Sequence, residues 1–112
     1  MKFGAHMSTQ GGVWKALERG IGISCDVVQI FVKNNMQWFG KPYGPNDLQQ
    51  YASVFASGKL FQVFGHAGYL INLGASAGPN RDKSIQSLVQ EIRLATDLGV
   101  PFLVLHPGAH LA

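Results

Sequence analysis

Four apolar residues, Phe102-Leu103-Val104-Leu105, run directly into His106 and a Pro107-Gly108 turn, and that order restricts the fold more than any other stretch of the 112-residue chain. Strand-type residues that do not alternate with polar ones read as a strand buried on both faces, as in a parallel sheet clad with helices. A histidine closing such a strand is delivered to the carboxyl edge of the sheet, where α/β folds keep their chemistry. The pattern recurs in Phe61-Gln62-Val63-Phe64-Gly65-His66 and, shortened, in Lys2-Phe3-Gly4-Ala5-His6. One strand-ending imidazole is ordinarily just hydrogen-bonded in place. Three on one edge are able to meet.

Between these strands the periodicity changes to helical. Val13, Trp14, Leu17 and Ile21 predict a first helix ended by Gly20 and Gly22. Asp26 to Lys33 predicts a second buried strand. Leu48, Tyr51, Ala52 and Phe55 predict a second helix capped by Asn46 and stopped at Gly58. The longest helix is predicted from Asn80 as its cap, with the buried stripe Ile85, Leu88, Val89, Ile92, Ala95 and Leu98, ending at Gly99 and Pro101. Trp14 and Phe55 are expected in the core. The order β-α-β-α-β-α-β with right-handed crossovers gives an α/β fold of four parallel strands and three helices. A closed eightfold barrel takes roughly 250 residues, so residues 1–112 are read as a single domain, about half of a TIM barrel. A small open sheet is the competing arrangement, but Ser8-Thr9-Gln10-Gly11-Gly12 does not match the Gly-x-Gly-x-x-Gly phosphate loop expected at its first turn.

Charged residues make up only 13% of the chain, about half of the usual ~25%, so part of the exterior is expected to be covered. A net charge of +3 permits a polyanionic partner without a Lys/Arg run to bind it. The lone Cys25 excludes an internal disulfide and is expected to be a packed, inert thiol. With no signal peptide and no membrane-spanning apolar run, the expectation is a soluble cytoplasmic protein.

His66 and His106 close neighbouring strands, within reach of one ion. Zinc held by two imidazoles needs one or two further ligands, and the six acidic residues fall mostly on helices or at strand starts. This chain therefore offers two ligands and an incomplete site.

Four segments, in order and spacing, are similar to the endonuclease IV family of zinc-dependent apurinic/apyrimidinic endonucleases. They are Gly4-Ala5-His6-Met7-Ser8, then Phe31-Val32-Lys33-Asn34 with Gln37-Trp38, then His66 through Gly74, and Leu105-His106-Pro107-Gly108-Ala109-His110. The resemblance spans essentially the whole chain and corresponds to that family's N-terminal half. It implies a TIM barrel with three zinc ions at its carboxyl edge, acting in base-excision repair by hydrolysing the phosphodiester 5′ to abasic sites in double-stranded DNA. His66 and His106 match two ligands of one zinc. Tyr69 and Leu70 match the loop pushed into DNA where the damaged nucleotide is flipped out. Lys33, Asn34, Gln37 and Trp38 match the neighbouring DNA-facing loop, with Met36 standing where some members carry a basic residue. No complete catalytic set can be matched, because the remaining ligands belong to the C-terminal half. The resemblance implies no ligand role for His6, and none is assigned to His110.

Readings that remain open are structural or of another class. Tyr69 and Leu70 folded onto a core, Trp38 and Phe39 as a local plug, and Lys33 as a solvated strand end are the plain alternatives. A metal-dependent sugar isomerase or epimerase shares the architecture, although its pocket needs no protruding aromatic loops. A non-enzymatic half-barrel associating with itself through exposed edges is the third reading.

Overall fold

A computed structural model describes residues 1–109; His110, to which no role is assigned, lies outside the described residues. The strands are β1 (Gly4–His6), β2 (Val27–Phe31), β3 (Gln62–His66) and β4 (Leu103–Val104), with helices α1 (Val13–Gly22), α2 (Pro45–Ala56) and α3 (Pro79–Leu98) between them. All pairs are parallel in the order β1-β2-β3-β4. The predicted element order and the four-strand, three-helix half of a TIM barrel are what the chain forms.

The predicted burial of both strand faces holds for only one of them. Val28, Ile30 and Val63 are buried against α1 and α2 residues Leu17, Ala16 and Tyr51. The residues of the other face, Gln29, Phe31, Phe64 and His66, stay half-buried. In a closed barrel that face is the packed interior, and four strands do not close around it. β4 is correspondingly short, and Phe102 and Val104, expected inside, are 51% and 40% exposed.

Helix α3 turns a different side inward from the predicted one. Ile85, Val89 and Ile92 are exposed, whereas Ser84, Ser87, Glu91, Leu94, Ala95 and Leu98 are buried. From Leu94 onwards the helix packs apolar side chains on the core, and between Ser84 and Glu91 it buries polar ones that hydrogen-bond the loops above the sheet. Helix starts also differ from expectation. Pro45 and Pro79, not Asn46 and Asn80, open α2 and α3 behind Gly44 and Gly78. Proline suits the first helical position because its fixed φ matches the helix and the N–H it lacks would have no partner there. Gly99, at φ 77°, ends α3 in the left-handed conformation as predicted. Phe55, expected in the core, stacks on Tyr51 at 6.4 Å but is 36% exposed.

A candidate metal and nucleic-acid site at the carboxyl edge

His6 and His66 end β1 and β3, and His106 follows β4 by two residues, all at one edge. His66 and His106 lie with ring centroids 5.2 Å apart and line, with Tyr69 and Ile71, a cleft of about 90 Å³. His66 Nδ1 stands 2.6 Å from the Ala67 carbonyl oxygen. A carbonyl only accepts, so Nδ1 is the donor, and in the neutral ring Nε2 then holds the lone pair that a divalent cation requires. The donor set thus fits two ligands of a zinc ion. Among the described residues no third histidine, cysteine or carboxylate completes a cluster.

His6 is held differently. Its Nδ1 accepts a 3.0 Å hydrogen bond from the Gln29 amide, its ring lies 4.5 Å from Phe31, and burial, followed by the nearby His66, lowers its pKa. These contacts hold the His6 ring in place against β2. Phe31 is the hub of this edge, meeting His66 at 5.6 Å and Tyr69 at 5.3 Å.

Tyr69 is 68% exposed, so it is not folded into a core. Leu70 is half-buried and lines, with Trp38, a cleft of about 560 Å³ bounded by the start of α3. Asn34 and Gln37 lie on a separate cleft of about 300 Å³. Both are exposed, and Asn34 Oδ1 accepts from Met36 N at 2.9 Å, which folds its side chain back into its own turn. The Trp38 indole lies with the Lys83 ammonium 6.0 Å from its ring centroid.

Lys33, expected to face DNA or to end its strand in solvent, does neither and is buried. Its side chain is 2% exposed and lies 3.4 Å from Glu91, whose side chain is 0% exposed. The ammonium also donates to the Gln37 carbonyl at 2.7 Å, while both Glu91 oxygens accept from Gly68 N at 3.0 and 3.2 Å. Desolvation raises the Glu91 pKa, opposed by Lys33 and the Gly68 N–H. One buried pair therefore joins the loop after β2 to the loop after β3.

Helix α3 supplies the other ties, none of which the sequence reading anticipates. Ser87 Oγ donates to the Trp38 carbonyl at 2.5 Å, and Gln90 both donates to and accepts from the Gly40 backbone at 3.0 and 2.9 Å. Ser84 Oγ accepts from Asn72 N at 2.9 Å. The available signal is the spacing of Ser84, Ser87 and Glu91, which puts three polar residues on one helical face.

The model of the xylose isomerase-like TIM barrel family matches residues 18–112. A protein of Trichlorobacter lovleyi named "Probable endonuclease 4" is 43% identical over 107 residues, which cover 96% of this chain and 38% of that protein. Its namesake in Chloroflexus aurantiacus is 42% identical over 109 residues, covering 97% and 38% respectively. Among solved structures, endonuclease IV from Thermus thermophilus superposes with a TM-score of 0.90 at 31% identity, over 97% of this chain and 41% of that one. The chain spans about 38–41% of the length of these relatives. With its parallel βα order and histidine-bearing carboxyl edge, the chain belongs to the xylose isomerase-like TIM barrel family, where its likeness is to endonuclease IV.

Proposed function

We propose that residues 1–112 form one domain, the N-terminal half-barrel of a zinc-dependent DNA-repair endonuclease that hydrolyses the phosphodiester 5′ to an abasic site. The observation that carries this reading is the pairing of His66 with His106 at 5.2 Å beside an exposed Tyr69. His66 and His106 would hold one zinc, and the part of the relatives that this chain does not span would contribute the remaining ligands. Bound there, zinc supplies Lewis-acid polarisation of a phosphoryl oxygen and activation of water.

The chain's own residues bind and orient. Tyr69 stands out from the edge as an aromatic wedge, backed by Phe31, next to the histidines where a flipped nucleotide would arrive. Leu70 and Trp38 wall the adjoining cleft, and Asn34 and Gln37 offer uncharged polar contacts to a phosphodiester backbone. Lys33 acts from inside, by holding Gln37. Exposed apolar residues on the open face also support association of the chain with a second copy.

The test compares binding of a duplex carrying one abasic site with the undamaged duplex, at one stated salt concentration. Preference for the abasic duplex, with a loss of about tenfold in that preference on Tyr69→Ala, is expected, base–aromatic stacking being worth ~1–3 kcal/mol. Equal binding of both duplexes overturns the reading. Incision assayed in parallel is expected to be near zero without the remaining ligands.

A further inference from the structure

We infer that Asn72 is a positioning residue for His106, clamping the segment that carries this histidine to the loop that carries Tyr69 and Leu70. The consequence for metal binding rests on the proposed zinc site, whereas the geometry stands independently of it.

The sheet does little to hold His106. β4 has two residues, and the last bond tying β3 to it is the 2.9 Å donation from Ala67 N to the Val104 carbonyl. His106 lies two positions further on and is exposed. Beyond that point the chain is secured by the Asn72 side chain and one backbone bond from Leu73. Asn72 Oδ1 accepts from Ala109 N at 3.1 Å and from Gly74 N at 3.0 Å, and its Nδ2 donates to the Ala109 carbonyl at 2.9 Å. Beside the carboxamide, Leu73 N donates to the Pro107 carbonyl at 3.0 Å. One side chain thus pairs with both backbone groups of Ala109, as a neighbouring strand would. The chain between Val104 and Ala109 is fastened at both ends, with His106 inside the span.

The clamp has a rigid base. Asn72 N donates to Ser84 Oγ at 2.9 Å, and Ser84 is wholly buried on α3. The clamp also dictates its neighbour: at Gly108, φ is 132° and a Cβ would overlap Asn72 Oδ1. Only glycine satisfies both conditions. Asn72 follows Tyr69 by three positions in one loop, so the clamp joins the histidine's segment to the loop that bears the wedge.

The test is made on the metal-free chain by NMR. Ring protons of His66 and His106, with centroids 5.2 Å apart, are expected to show a nuclear Overhauser contact in the wild type. Asn72→Ala is expected to lose it while keeping the His66–Phe31 contact. Gly108→Ala, acting on the clamp from its other side, is expected to do the same and serves if Asn72→Ala does not fold. Retention of the His66–His106 contact in a folded variant overturns the proposal. Zinc is then titrated while the histidine ring shifts are followed. Both rings are expected to move together in the wild type, and the His106 ring to respond only at higher zinc concentration in Asn72→Ala. If zinc moves neither wild-type ring, the metal reading fails, and the contact measurement alone decides the clamp.

Discussion

Lys33 and Glu91 share one buried site in which neither can be removed without exposing the other to an apolar surrounding. The ammonium has Glu91 at 3.4 Å and the Gln37 carbonyl at 2.7 Å, and the carboxylate has the Gly68 N–H as well. Deleting one charge of such a pair leaves the partner desolvated and uncompensated, at a cost of ~3–5 kcal/mol. Lys33→Met is therefore expected to lower unfolding free energy in urea by about that amount. A solvated lysine at the same position would change it by no more than ~0.5 kcal/mol. Lys33→Met combined with Glu91→Gln removes both charges while keeping an acceptor for Gly68 N, and is expected to regain a large part of the loss. A double variant as unstable as the sum of its two single variants would refute the coupling. In sequence, Lys33 stands at the end of an apolar run before a polar loop, the ordinary place for a solvent-facing charge. Its true partner belongs to α3, beyond a further helix and strand, and no local pattern announces it.

Helix α3 distinguishes two kinds of information in the chain. Its length, its glycine stop and the burial of Ala95 and Leu98 follow from periodicity and are legible in the order of residues alone. Its inward face between Ser84 and Glu91 is not, because hydrophobicity selects Ile85, Val89 and Ile92 whereas the fold buries Ser84, Ser87 and Glu91. The reason is a demand for hydrogen bonds: the loops after β2 and β3 carry backbone groups at Trp38, Gly40, Gly68 and Asn72 that need partners in a dry setting. The polar face meets those groups. The three histidines of the edge are legible because each stands at the end of a strand-type run, while the loop anchors lie 12 to 50 positions from what they hold. Substitution on the two faces separates these accounts. Ile85→Ser or Val89→Ser, at 49% and 41% exposure, is expected to cost within about 1 kcal/mol, and Leu94→Ala on the buried face ~2–5 kcal/mol. Equal costs on both faces would restore the purely hydrophobic stripe.

The whole molecule has one finished face and one unfinished face. Helices cover the side of the sheet that carries Val28, Ile30 and Val63, while Phe102 and Val104 on the open half stand 51% and 40% exposed. Exposed apolar surface of this kind drives association, and so do unpaired sheet edges. The two routes are distinguishable here. The edge strands β1 and β4 have three and two residues, too short to template a strand from another chain effectively, so burial of the open face is the stronger drive. Phe102, stacked on Phe64 at 5.3 Å, lies on that route and is accessible. In sedimentation at micromolar concentration the wild type is expected as a dimer or larger species, and Phe102→Glu is expected to shift it towards monomer. A proline placed in an edge strand would leave association unchanged if face burial dominates. A wild type that sediments as a monomer and unfolds in one cooperative transition would show that the four-strand unit tolerates its open face, and self-association would be dropped. Such a result would leave the zinc reading where it stands, because two copies duplicate His66 and His106 but bring no new kind of ligand to the edge.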